Sequence, residues 1–211
     1  MSPGLKNAIL SAGILFALFY NPSFAKTEAE CLNAVEYGTY QIRKNPADFR
    51  GYACRGSAYV YLKKYELAEP DLLKAASLKP GEAGVYVHLS ALYTNTKRDD
   101  LALVCIRKSI ALGNRTESTY NLELAILNSA FKTEECLKLS EEVLRHYPQD
   151  ASAYYYLAVS KRIIATFSKE EIEADLNKAI ALVPGDKPSI EELEWVRKYY
   201  KPKRIQQAAQ D

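Results

Sequence analysis

Tyr52, Tyr86, Tyr120 and Tyr154 stand at one constant interval, a period of 34. A period in the range of roughly 20 to 50 residues is the mark of stacked units, because one small unit cannot cover its own apolar face and needs a neighbour to do it. The interval therefore limits the chain to architectures built by repetition, which present extended surfaces and commonly bind other molecules.

The segment up to Ala25 lies outside that pattern. Lys6 precedes an uncharged run from Ala8 to Tyr20, and Ser23-Phe24-Ala25 places small residues three before and directly before a cut. This is the layout of a secretory signal peptide, and the run is shorter than the roughly 20 residues that a bilayer-spanning helix needs. The expectation is cleavage after Ala25 and an exported chain, periplasmic or secreted, with an N-terminal membrane anchor as the alternative.

The whole chain carries 28 Lys and Arg against 26 Asp and Glu, and of these the segment up to Ala25 holds only Lys6. So even a balance exerts no long-range attraction on nucleic acid. Export makes the four cysteines disulfide candidates. Cys31 and Cys54 fall on neighbouring helices at heights offset by about 10 Å, at roughly 1.5 Å per residue, which is beyond disulfide reach. Cys105 and Cys136 lie at similar heights and leave two readings open, a bond or two buried thiols.

Aligned on the interval, residues 49–82 hold Tyr52, Gly56, Tyr59, Ala68, Leu72, Ala75 and Pro80. This order of aromatic, small, Tyr, Ala, bulky apolar, Ala and Pro resembles the tetratricopeptide repeat family. Residues 83–116 repeat it with Tyr86, Leu89, Ser90, Tyr93, Ala102, Ile106 and Ser109, Asn114 replacing the Pro and ending the helix through a left-handed backbone. In residues 117–150, Tyr120, Leu127, Val143 and Pro148 fit, whereas Glu123, Leu124, Cys136 and Ser140 depart. The fourth unit, 151–186, keeps Tyr154, Leu157 and Ala158, and its Pro184 arrives late by two, which lengthens the turn around residues 166–168. Arg55 stands in the family's Leu slot of the first unit and predicts partial exposure there.

The resemblance implies an all-α, right-handed superhelix of stacked antiparallel helix pairs: residues 26–46 an N-terminal capping helix, 47–187 the four repeats, 188–201 a C-terminal capping helix and 202–211 a tail. Gly56, Ser90 and Ala158 leave room for the second helix of each pair, and Gly38 and Gly84 suit the same close packing. Pro46, Pro80, Pro148 and Pro184 punctuate the chain, because proline cannot continue a helix interior. Thr27 with Glu30, Ser168 with Glu171 and Ser189 with Glu192 each read as a capping box. Lys198, Lys201, Lys203 and Arg204 read as a solvated basic end.

The resemblance further implies that the first helix of each unit lines a concave groove receiving a partner segment. By register its candidate contacts are Arg50 and Ser57, Val87 and Thr94, Asn121 and Asn128, and Tyr155 and Arg162, with Ala53, Ala91, Ala125 and Val159 among them. A spacing of seven keeps each pair on one helix face. Family members that clamp a terminal carboxylate do so with Lys, Asn and Arg on successive units; these stripes are mostly small or apolar and argue against that activity. Tyr61, Tyr65, Tyr155, Tyr156, Tyr199 and Tyr200 exceed the packing slots and are further contact candidates.

Catalysis has no footing in these motifs. His88 and His146 lie on different units, outside any metal-binding or nucleophile signature. Neither a metal nor a cofactor is expected. Asn114-Arg115-Thr116 is a glycosylation sequon that matters only in a eukaryote, and Thr116 also suits a helix cap. The functional expectation is a non-catalytic, exported scaffold for a protein or peptide partner, serving envelope assembly, secretion or a multi-protein complex. Competing readings are an RNA-binding helical repeat and a self-assembling structural module.

Overall fold

A computed structural model describes residues 27–201; the signal-peptide reading of residues 1–25 and the tail at 202–211 lie outside them. The described residues form ten α-helices and no strand: α1 Glu28–Lys44, α2 Phe49–Tyr61, α3 Tyr65–Leu78, α4 Ala83–Asn95, α5 Asp99–Ala111, α6 Glu117–Ser129, α7 Thr133–His146, α8 Ala151–Ile164, α9 Lys169–Leu182 and α10 Lys187–Tyr199. They divide into two compact units, residues 27–126 and 127–201. In the first unit α1 packs on α2, α2 on α3, α3 on α4 and α4 on α5, while α2 also touches α4. In the second, α7 packs on α8, α8 on α9, and α10 on both α8 and α9.

The period read from the tyrosines governs the backbone as well as the side chains. The helices α2, α4, α6 and α8 begin at positions 49, 83, 117 and 151, and the left-handed residues Lys63, Lys97, Phe131 and Ala165 recur at the same interval, with φ of 57, 60, 56 and 59°. At the first three turns the chain stops each helix in one way. The Lys63 N–H reaches the Val60 carbonyl at 3.0 Å and the Lys64 N–H the Tyr59 carbonyl at 2.8 Å, and Lys97 with Arg98 and Phe131 with Lys132 repeat the pattern. These paired bonds form a Schellman motif, which satisfies the carbonyls that a helix end leaves bare. At Ala165 only the bond to the Lys161 carbonyl forms, at 3.0 Å, and α9 starts at Lys169, behind register by two. The insertion thus replaces one kind of helix stop with another.

Three slots of the second helices are closed to solvent in every repeat: Ala68, Ala102, Cys136 and Ile172; Leu72, Ile106, Ser140 and Leu176; Ala75, Ser109, Val143 and Ala179. Cys136 and Ser140, departures by residue type, are as buried as their counterparts. Ser140 satisfies its hydroxyl by donating to the Cys136 carbonyl at 2.8 Å, and Ser109 donates to the Ala83 carbonyl at 3.0 Å, so neither burial leaves an orphaned polar group. A Cβ on Gly56 would lie 2.8 Å from Leu72 Cγ, so the close approach expected at this glycine is real.

Three local expectations change. Gly84 is exposed, and a Cβ there would meet only Glu82 Oε1 at 3.9 Å, so it serves no close packing. Gly113, at φ 99°, takes the left-handed position assigned to Asn114, because a residue without Cβ enters that region freely. Asn114 instead donates its side-chain amide to Ser109 Oγ at 3.1 Å. The boxes at Thr27 and Ser168 form, whereas Ser189 lies inside α10, whose cap is Asp186, and donates to Asp186 Oδ2 at 2.9 Å. Glu192 is consequently released from capping.

Lys97 bears a Cβ in a backbone region that disfavours one by about 1–2 kcal/mol. Replacement Lys97→Gly is expected to raise the urea midpoint of unfolding, by a stability gain of up to about 1 kcal/mol after glycine's chain-entropy cost is subtracted. A lowered midpoint would contradict the strain assigned to this turn.

Candidate functional site

In the unit of residues 27–126 the expected groove positions differ in how far they open to solvent. Arg50, near the start of α2, is exposed; Ala53, Val87, Ala91 and Asn121 are half-buried; Ser57 and Thr94, later in their helices, are buried. The buried hydroxyls turn inward. Ser57 donates to the Cys54 carbonyl at 2.9 Å and Thr94 to the Ser90 carbonyl at 2.8 Å, so neither offers its proton to a ligand. Arg50 is held by Asp48 through Nη2 at 2.6 Å and Nε at 2.9 Å. Those hydrogen bonds keep the Asp48 carboxyl below its ordinary range. Asn121 differs from the rest, since its Oδ1 is buried with no hydrogen-bond partner.

In the unit of residues 127–201 the corresponding positions are filled by the chain itself. Asn128, Tyr155 and Arg162 are 8, 3 and 8% exposed, and α10 packs on α8, the helix that carries the last two. Arg162 forms an ion pair with Glu192 and lies 4.7 Å from the Trp195 ring centroid. Tyr155 meets Tyr156 edge-on with ring centroids 5.2 Å apart, and burial pushes both phenols upward. Burial also raises the Glu192 carboxyl, against the lowering influence of Arg162. Tyr155 and Arg162 therefore do not present the open, partner-gripping surface expected of them; they anchor the last helix. The signal available in the sequence was the apolar stripe Ile190, Leu193 and Val196, whose burying surface had to come from the preceding pair.

The Leu-slot departures also acquire a physical account. Arg55 is half-buried, in keeping with the partial exposure expected there, and grips Asp71 with two parallel bonds, Nε to Oδ2 at 2.7 Å and Nη2 to Oδ1 at 2.9 Å. That grip holds the Arg55 guanidinium above its ordinary pKa. Glu123, in the same slot two units later, accepts from Arg107 Nε at 2.7 Å. Charges thus occupy apolar slots because each finds an opposite charge on a second helix, the condition under which such burial is tolerated.

Of the surplus aromatics, Tyr155 and Tyr156 are core, Tyr200 donates its hydroxyl to the Phe167 carbonyl at 2.7 Å, and Tyr61 and Tyr199 remain 38 and 54% exposed. Tyr37 and Tyr40 on α1, at 58 and 59%, are more open than any of these and escaped the sequence reading, which assigned no contact role to the capping helix. Among the described residues no three His, Cys, Asp or Glu side chains gather as a metal site would. None of the four cysteines is joined in a disulfide, and burial raises the thiols of Cys105 and Cys136 to about 11.

Three outcomes follow from these charges and thiols. Arg55→Met strands the Asp71 carboxylate and is expected to cost about 2 kcal/mol, whereas adding Asp71→Leu recovers most of the loss, measured by denaturant unfolding. A thiol with a pKa of about 11 stays protonated at neutral pH, so Cys105 and Cys136 should resist alkylation in the native chain at pH 8 and react fully once it is unfolded. Because the folded values lie above the ordinary 9.0, these thiols favour the fold below pH 9 relative to more alkaline solution, and that contribution falls away as pH rises through about 11.

No protein-family model matches the chain, and no curated protein does. Among solved structures it is similar to YrrB, a TPR protein with an unusual peptide-binding site, at TM-score 0.65 and 19% identity over 90% of this chain and 96% of that one. PilF of Pseudomonas aeruginosa aligns at TM-score 0.66 and 13% identity, covering 92% of this chain and 90% of that one. PilW, a widely conserved type IV pilus biogenesis factor, aligns at TM-score 0.62 and 15% identity, covering 86% of this chain and 79% of that one. With helix starts and left-handed turns both recurring at the interval of the tyrosines, the chain has the all-α tetratricopeptide-repeat fold.

Proposed function

We propose that this chain is an exported, non-catalytic interaction scaffold whose groove in residues 27–126 holds an uncharged segment of a protein partner. The observation that carries this reading is the set of half-open first-helix positions: small or apolar at Ala53, Val87 and Ala91, and at Asn121 a carbonyl oxygen with no partner. A buried acceptor left unpaired costs about 1–3 kcal/mol, which an N–H of a bound backbone would offset once a turn of the Asn121 side chain brings Oδ1 out to the groove. The Ser57 and Thr94 hydroxyls on the same stripes are already committed, so recognition rests on shape and on this one acceptor rather than on charge. A neutral lining also disfavours an RNA backbone, whose phosphates call for cations.

The peptide-binding site named for YrrB and the pilus-biogenesis role named for PilW support a peptide ligand and a place in the cell envelope. No described helix is long and apolar enough to cross a membrane. The export reading predicts a mature chain beginning at Lys26, checked by intact mass of the protein from its native compartment.

The groove is tested by using the chain as bait in extract of that compartment. Val87→Asp with Asn121→Ala is expected to abolish capture of the retained partner while the melting temperature moves little, since both positions are half-open. Capture undiminished by the pair would overturn the groove reading. Retention of RNA that falls steeply with salt would replace it with the nucleic-acid alternative.

A further inference from the structure

Helix α1 buries one face, through Cys31 and Gly38, against α2 and turns the other outward. That outer face carries Tyr40 at 59% exposure and Tyr37 at 58%. Single exposed aromatics need no explanation, but these two sit within one helical turn and charge is distributed unevenly around them. Glu36 lies on the N-terminal side of Tyr40, and Arg43 and Lys44 on its C-terminal side. Among the described residues neither Glu36, Arg43 nor Lys44 has an ion-pair partner within the chain.

We propose that this face binds a second copy of the same chain, the two α1 helices running antiparallel about a two-fold axis that passes near Tyr40. Charge complementarity selects this occupant. A two-fold axis demands that one surface complement itself, and a helix face that is acidic before Tyr40 and basic after it does so only when paired antiparallel. At about 3.6 residues per turn, Glu36 and Arg43 lie on one shoulder of the Tyr40 row, and Tyr37 and Lys44 on the other. The two-fold operation keeps like shoulders together, so Glu36 meets the partner's Arg43, Tyr37 lies under the ammonium of the partner's Lys44, and Tyr40 packs on the partner's Tyr40. A parallel arrangement would instead set like charges side by side. Tyr and Arg at the centre of the patch match the composition of specific interfaces. The surface uses neither Val87 nor Asn121, so it stands independently of the groove.

Sedimentation equilibrium of the chain between about 1 and 200 µM, a span that brackets micromolar affinities, tests the proposal. The expected result is reversible dimerisation, to twice the mass of one chain. Tyr40→Asp should leave a monomer of unchanged helicity by circular dichroism. Glu36→Arg and Arg43→Glu should each weaken association at least about tenfold by facing like charges. The two changes combined in one chain should restore it, and so should an equimolar mixture of the two single variants, which only contact between copies can explain. A monomer throughout the range would overturn the proposal. So would a dimer indifferent to Tyr40→Asp, or a double variant that associates no better than the singles.

Discussion

Close approach between the two helices of each repeat is the constraint on which the rest of this structure depends. Gly56 lies under Leu72 with no space for a methyl group, and Ala68, Ala102 and Cys136 hold the matching positions of the second helices at 0, 0 and 1% exposure. Because the contact is so short, the turn joining the helices must reverse the chain within a short stretch. A left-handed residue closing a Schellman motif achieves that reversal. The strain at Lys63, Lys97 and Phe131 is thus a consequence of the packing rather than a separate feature, and the same logic explains why an insertion is accommodated at Ala165, where one hydrogen bond stops the helix instead of two.

Packing this tight would ordinarily exclude charge, yet Arg55 and Glu123 occupy positions that are apolar in the other two repeats. Each is matched by an opposite charge from a second helix, Asp71 or Arg107. Pairs of this kind add little net stability but penalise any register in which the partner is absent. In a chain whose units resemble one another, mispairing of neighbours is the folding error that repetition invites, and alternating polar slots distinguish one repeat from the next.

The two compact units put the same helix positions to different uses. In residues 127–201 the first-helix face is covered by α10, whose Glu192 and Trp195 engage Arg162, so side chains that look like ligand contacts complete the core. In residues 27–126 the equivalent positions Val87, Ala91 and Asn121 remain partly open. Helix α1, as the other flank, leaves two tyrosines and an asymmetric set of charges to solvent. Surface available to other molecules is concentrated towards the N-terminal unit in consequence.

The interval of the tyrosines, the closing prolines and the small-residue slots were legible in sequence because they follow from local requirements: helix length, chain reversal and clearance beneath a neighbouring helix. They sufficed for the helix order, the late fourth turn and two of the three capping boxes. What the sequence could not assign was which of two chemically suitable partners a side chain would take. Glu192 is placed to cap a helix with Ser189, and Arg162 to grip a ligand; only the packing of α10 on α8 joins them to each other. Arg55 likewise reads only as a partly exposed departure from an apolar slot, and its partner Asp71 is supplied by the packing of α3. Periodicity is a property of the chain taken one repeat at a time, whereas burial and ion pairing depend on what the next helix brings, and that was decided by the tertiary structure alone.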